Sequence, residues 1–198
     1  EIPEFGRTAK GQAIINLINI DQNELVTSIL SKREDGKLYD EDTIQEGEEK
    51  REKKPYKYLF MATKLGTVKK TAIEDFSNIR TNGLISIKLS KEDELAWVKP
   101  TNGDDEVLLI TEQARSIRFH EKDVRPTGRD TMGVRGILFK NPGDFVIAMA
   151  VVRNQEDLLL TISRNGYGKV SKLSQFPRQK RGGQGVYAAR INKKTGYL

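Results

Sequence analysis

Cysteine is absent from the 198 residues and histidine occurs once. No disulfide framework, thiolate nucleophile or Cys-ligated zinc is available to this chain. His120 alone excludes a two-histidine metal site, and a Ser-His-Asp triad would have to use that one residue. Aromatic residues make up only 7%. No apolar run approaches the ~20 residues that span a bilayer, so no membrane partner is expected. The first residues, Glu1-Ile-Pro-Glu4, carry neither an initiator Met nor a signal-peptide pattern, and the chain reads as an excised piece of a longer cytosolic protein. Phosphate loops of the G-x-x-x-x-G-K-[ST] type are missing too, because Gly168-Lys169 is followed by Val170 and lacks the upstream Gly. Glu74-Asp75 reads as a turn rather than a catalytic acid pair. No catalytic residue, metal or cofactor is expected.

The chain does contain itself several times over. One stretch runs from Leu59-Phe-Met-Ala-Thr through Gly66-Thr-Val-Lys-Lys-Thr71 and Phe76 to Gly83-Leu-Ile-Ser-Ile-Lys-Leu89. A second runs from Val107-Leu-Leu-Ile-Thr through Ala114-Arg-Ser-Ile-Arg-Phe119 and Val124 to Gly133-Val-Arg-Gly-Ile-Leu-Phe139. A third runs from Leu158-Leu-Leu-Thr-Ile through Gly166-Tyr-Gly-Lys-Val170 and Phe176 to Gly185-Val-Tyr-Ala-Ala-Arg-Ile191. A shortened copy around Gly11 opens the chain. The offsets are 48 residues from Gly66 to Ala114 and 52 from Ala114 to Gly166. Apolar runs rich in Val, Ile, Thr and aromatics alternate with turn signals, and no helical periodicity is present. Asn102-Gly103 and Asn165-Gly166 have the chemistry of hairpin turns with positive φ. Asn23-Glu-Leu25, Asp93-Glu-Leu95 and Asp144-Phe-Val146 each precede a further apolar strand.

A period near 50 with about four strands per unit predicts an all-β, propeller-like disc of radial blades. The units fall at about 1–31, 58–98, 107–149 and 158–198, three full and one partial. Residues 32–57 are nearly all polar with both charge signs and read as a charged, mobile insert. Phe76, Val124 and Phe176 read as blade-core anchors, Trp97 as core, and His120 as a structural, partly exposed side chain.

The net charge of +6 divides unevenly. The repeat segments 1–17, 58–89, 107–139 and 158–191 carry 0, +3, +2 and +7, whereas the connectors between and after them sum to −6. Segment 158–191 contains no acid at all. A generic solvated surface mixes signs. The cations also recur at fixed unit positions: Lys69, Lys70, Arg118, Lys169 and Lys172 follow the first turn. Arg80, Arg125, Arg129, Arg178, Lys180 and Arg181 lie in the loop ahead of the Gly83-type position. Equivalent positions in a radial array share one rim, so a basic band suited to bent duplex DNA is expected. Such cations would track phosphates and carry no sequence information.

Phe60-Met-Ala-Thr63, Gly66-Thr-Val-Lys-Lys-Thr71, Phe76-x-x-Ile-Arg-Thr-Asn-Gly83, Asp123-Val-Arg125, Gly133-Val-Arg-Gly136 and Asn165-Gly-Tyr-Gly-Lys169 together resemble the C-terminal domain family of the DNA gyrase A protein, over essentially the whole chain. The resemblance implies a β-pinwheel whose blades exchange strands. It implies sequence-independent binding and wrapping of double-stranded DNA, which guides a segment to the strand-passage gate for negative supercoiling. It also implies as partners the rest of gyrase A, together with the gyrase B subunit, in the bacterial cytoplasm. Gln179-Lys-Arg-Gly-Gly-Gln-Gly185 resembles the family's box Q-R-R-G-G-K-G, with Lys180 for Arg and Gln184 for Lys. Adjacent glycines let backbone approach a phosphate, which adds Gln179, Gly182, Gly183 and Gly185 to the DNA-binding candidates. Three units precede this copy, where the family's main box lies in the first blade, so it reads as a later, degenerate copy. Two further readings stand beside this one: the related topoisomerase IV A-subunit domain, and a protein-interaction propeller whose basic rim meets acidic partners.

Overall fold

The computed structural model describes residues 3–20, 24–30, 55–79 and 83–198. The described residues form ten β-strands and short 3-10 turns, with no α-helix. Strands β1 (Tyr58–Thr63) and β2 (Thr67–Ala72) form an antiparallel hairpin, flanked by β3 (Leu95–Thr101) against β1 and β6 (Val134–Arg135) against β2. The second sheet repeats that plan. Its hairpin is β4 (Glu106–Thr111) and β5 (Arg115–His120), its outer strand β7 (Val146–Val152) pairs with β4, and β10 (Val186–Tyr187) pairs with β5. A third hairpin, β8 (Leu158–Ile162) and β9 (Gly168–Lys172), stands as a two-stranded sheet.

Each four-stranded sheet therefore closes on two residues supplied by the following unit. Close approach makes this possible: a Cβ on Gly133 would lie 2.4 Å from Val68 O, and one on Gly185 would lie 2.0 Å from Ser116 O. Only glycine lets the incoming backbone reach β2 and β5. The hairpin turns repeat as well. Gly66, Ala114 and Gly166 all have positive φ, and each donates its N–H to the carbonyl three residues back. Ala114, at +59°, carries the left-handed Cβ penalty of about 1–2 kcal/mol that its glycine counterparts avoid.

The core follows from strand alternation. Val107 and Leu109 of β4 point into one cluster with Phe60, Ala62, Val68, Ile117, Phe119 and Val124. Leu108 and Ile110 point the other way, into a cluster with Val152, Leu173, Phe176 and Ala188. The run Val-Leu-Leu-Ile is apolar throughout because its sheet is covered on both faces. Trp97 packs against the first cluster, as expected. Val124 and Phe176 are buried anchors, whereas Phe76 is only half-buried.

Three expectations need correction. Asn102-Gly103 does have positive φ at Gly103, but it joins β3 of the first sheet to β4 of the second and is no hairpin turn, because β3 takes β1 as its partner. The strand expected after Asn23-Glu-Leu25 is not formed: residues 24–30 have no sheet neighbour among the described residues. Most of the insert, residues 32–54, lies outside the described residues. Its last three residues are held, however. Lys57 N–H donates to Thr101 O at 2.9 Å, and Tyr56 is buried with the Arg153 guanidinium 5.0 Å from its ring centre.

The strand exchange has a direct test. Gly133→Ala is expected to lower unfolding free energy by about 1–3 kcal/mol, the range for overpacking. Gly128→Ala, with nothing within 4 Å of its added Cβ, serves as the control. Urea denaturation of both variants reads the difference, and equal midpoints would refute the close-approach account.

Candidate nucleic-acid interface

Strand β2 and its counterpart β5 carry cations at matched positions, and the structure shows why. Lys70 Nζ crosses to the next unit and donates to Glu121 O at 2.9 Å. Arg118, its equivalent, donates from Nη1 to Leu173 O at 2.9 Å. Glu121 and Leu173 begin the same 3-10 turn in consecutive units. Around these bonds the backbone repeats too: Thr127 N–H donates to Lys70 O, and Gln179 N–H donates to Arg118 O. The recurring cation is therefore a stitch between consecutive sheets.

An acid completes each stitch, fully buried in one and partly buried in the other. The Glu121 carboxylate is fully buried and accepts from Thr101 Oγ1, Gly103 N–H and Asp105 N–H at 2.8–2.9 Å, with Lys70 Nζ at 3.4 Å. Burial pulls the Lys70 ammonium below its usual pKa, against the raising effect of Glu121. The Glu106 carboxylate takes Arg118 Nε at 2.5 Å and Arg178 Nη1 at 3.5 Å. Burial pushes the Glu106 carboxyl up, but its hydrogen bond to Arg118 and that residue's charge outweigh burial, with Gln155 and Arg178 adding to them, and hold it below the ordinary carboxylate value.

Lys69, Lys70 and Arg118 are 2%, 3% and 5% exposed and so leave the expected basic rim. Lys69 Nζ donates to the carbonyls of Ser86, at 2.7 Å, and Arg129. Repetition at a fixed unit position was the signal for DNA contact, yet a repeated seam between sheets produces the same pattern. Arg80 lies outside the described residues.

The remaining candidates stay at the surface. Arg125, Lys169, Lys172, Arg178 and Lys180 are exposed, and Arg129, Gln179 and Arg181 are half-buried. Lys169 and Lys172 lie on β9, whose hairpin no later unit covers among the described residues. The segment Arg178–Gly185 is anchored at several points. Gly182, with φ of +80°, donates its N–H to Gly136 O at 2.6 Å, and Gly183 O accepts from Leu138 N–H at 2.9 Å. Arg115 Nε donates to Gln184 O at 2.9 Å and its Nη2 to Gly185 O at 2.6 Å, while its guanidinium stacks 4.4 Å from the Tyr187 ring centre.

Sequence reasoning passed over Arg115, Arg135 and Arg190. Arg115 holds the glycine-rich loop, a role that only the register Tyr187↔Arg115 reveals. Arg135 and Arg190 are exposed. Arg190 joins Lys169, Tyr187, Gln113 and Asn141 around a groove of about 580 Å³. Arg190 belongs to the acid-free segment 158–191 and Arg135 to the net-positive segment 107–139, so the charge arithmetic contained the signal. The uncovered cations of the acid-free segment 158–191 include Arg164, Lys169, Lys172, Arg178 and Lys180, all exposed, whereas Arg181 is half-buried. In 58–89, by contrast, Lys69 and Lys70 are buried, and Lys64 and Lys88 pair with Glu94 and Asp130. Arg178 leans on Glu106 at 3.5 Å, so the uncompensated positive surface of the third unit lies at Arg164, Lys169, Lys172 and Lys180, which have no carboxylate partner among the described residues. His120 caps a 3-10 turn through Nδ1, which accepts from Lys122 N–H at 3.1 Å. No group of three or more potential metal-ligating side chains occurs among the described residues. No helix among them is long and apolar enough to cross a membrane.

Residues 1–31, 57–102, 105–153 and 157–198 match the family model described as DNA gyrase C-terminal domain, beta-propeller. The DNA gyrase A protein of Escherichia coli (strain K12) is 37% identical over 198 residues, all of this chain and 20% of that protein. The chain spans about a fifth of the length of the curated relatives it matches. A solved DNA gyrase A C-terminal domain superposes with a TM-score of 0.72 at 27% identity, over 96% of this chain and 57% of that one. The C-terminal domain of DNA topoisomerase IV shares the fold, with a TM-score of 0.75 at 24% identity over 94% of this chain and 52% of that one.

Two outcomes check the stitches. Lys70→Ala removes one partner of a buried pair and is expected to cost about 3–5 kcal/mol in chemical denaturation. An unchanged midpoint would return Lys70 to the surface set. The depressed pKa of Glu106 stabilises the fold fully above its unfolded value of about 4.3, and that contribution is lost as pH falls through the folded value. Glu106→Gln should therefore flatten the acid limb of a stability–pH profile below about pH 4.3, and an unchanged limb would exclude this carboxylate as its source.

Proposed function

The chain belongs to the family of DNA gyrase C-terminal domains, and from that premise we propose that it is a non-catalytic module that binds and bends duplex DNA along its basic edge. The observation that carries this reading is the third unit, acid-free from 158 to 191, with exposed cations on β9 and the following loop and no carboxylate of its own to neutralise them. Phosphates are the matching partner, because lysine and arginine spread over strands and loops meet a backbone without reading base edges. Bending a duplex costs a few kcal/mol, offset by the phosphate contacts that a curved path allows. The DNA-contacting set is Arg125, Arg129, Lys169, Lys172, Arg178 and Lys180, with backbone approach at Gly182–Gly185.

In the longer protein, the module presents a DNA segment to the strand-passage gate of a type IIA topoisomerase, working with the rest of gyrase A and with the gyrase B subunit. The reaction itself belongs to other domains, and this chain needs no cofactor for its part. The bacterial cytoplasm is the corresponding location.

Binding is expected to be independent of sequence and to weaken steeply with salt, each phosphate contact adding about 0.9 to the slope of log K against log salt. Lys180→Glu and Arg178→Glu should lower affinity for unrelated duplexes equally in fluorescence anisotropy. Tight binding indifferent to salt would refute the proposal. A DNA-minicircle assay, relaxed by a nicking-closing enzyme with the chain bound, should shift linking number. Binding with no shift would assign the chain to contact without wrapping.

A further inference from the structure

Arg181 carries two roles in conflict. Its place in a basic, glycine-rich loop assigns it to a phosphate, while its geometry commits it to protein. Nε donates to Asp123 O at 2.8 Å and Nη1 to Arg135 O at 3.0 Å. Asp123 ends the 3-10 turn after β5, whereas Arg135 lies in β6, which is paired into the first sheet. One side chain thus clasps the loop to two elements of the preceding unit, one on each side of the loop 124–133. The next residue extends the clasp through Gly182 N–H to Gly136 O, and Leu138 N–H returns it to Gly183 O. A planar guanidinium holds two carbonyls at once because its donors have fixed directions, whereas an ammonium is a single point of charge.

Lys180 differs on every count. It is exposed, and it has no ion pair or hydrogen bond among the described residues. We infer that Arg181 is a positioning residue whose guanidinium seats the loop 178–185 on the preceding unit, while its neighbour Lys180 makes the phosphate contact. The inference rests on the DNA-binding reading above for Lys180, but the clasp itself exists without DNA. Two of the five guanidinium donors serve carbonyls, so what decides is whether the others meet a phosphate.

The experiment compares Arg181→Lys, Arg181→Gln, Gly182→Ala and Lys180→Gln in the whole chain. Hydrogen exchange without DNA reads the amides at positions 138 and 182, and anisotropy over a salt series reads binding to a short fluorescent duplex. Gly182→Ala disturbs the clasp without changing charge, since its left-handed backbone, with φ of +80°, disfavours a Cβ. Arg181→Lys, Arg181→Gln and Gly182→Ala are expected to speed exchange at these amides about tenfold, as local opening becomes easier. They should weaken binding at fixed salt and leave the salt slope unchanged. Lys180→Gln should keep the protection and reduce the slope by about 0.9.

Full protection and full binding in Arg181→Lys would overturn the inference, because charge alone would then suffice. A slope reduced by about 0.9 in Arg181→Gln would also overturn it, by assigning a phosphate to Arg181. An unchanged slope in Lys180→Gln would remove Lys180 from the contact. If the unaltered chain binds no duplex, the DNA reading fails, and exchange in Arg181→Lys still decides the clasp.

Discussion

The seam between consecutive sheets is the constraint on which the rest of the structure depends. Each full sheet lacks one edge of its own and takes two residues from the unit that follows. The approach is so close that Gly133 and Gly185 leave no room for a Cβ against Val68 O and Ser116 O. The open edge of β2 or β5 is thereby covered, which removes a row of unpaired backbone groups. The same seam is bonded again at the hairpin tips. Val146 N–H donates to Lys64 O, and Leu198 N–H donates to Glu112 O. Sheets joined in this way share cores, which is why β4 feeds one cluster with Val107 and Leu109 and another with Leu108 and Ile110.

This seam also divides the positive charge into two populations. Lys70 and Arg118 sit on the strand that faces the next unit, where unsatisfied carbonyls of a 3-10 turn come within reach. A buried cation is tolerable there only with carbonyls and an acid around it, and Glu121 and Glu106 supply the acids. Loop cations such as Arg125 and Lys180 have no such partners and remain in solvent. Arg181 lies between the populations, in an exposed loop yet bonded to two carbonyls of the unit before it. The net charge of +6 understates the contrast between a third unit free of acids and a first unit whose described cations are buried or paired.

Much of this was legible in the sequence. The spacing of Gly66, Ala114 and Gly166 marked the three hairpin turns, and even Ala114 adopts the left-handed backbone of its glycine counterparts. The apolar runs within Val107–Thr111 and Leu158–Ile162 marked the strands. The acid-free stretch from 158 to 191 marked where positive surface accumulates. Less legible was the partner of each strand. Asn102-Gly103 has hairpin chemistry, but a turn dipeptide states only that the chain reverses or bends, and β3 and β4 belong to different sheets.

Periodicity and residue type by themselves determined the repeat, the β class, the turn positions and the sign of the exposed surface, because these are local or compositional properties. Tertiary structure alone decided which cations face solvent. Lys70 and Lys180 are equally basic in the sequence, and both recur in or near repeated motifs. One finds a carbonyl and a carboxylate from another unit within 3.4 Å, and the other faces solvent. That difference comes from residues about 50 positions away, brought across the seam by the exchange of a two-residue strand.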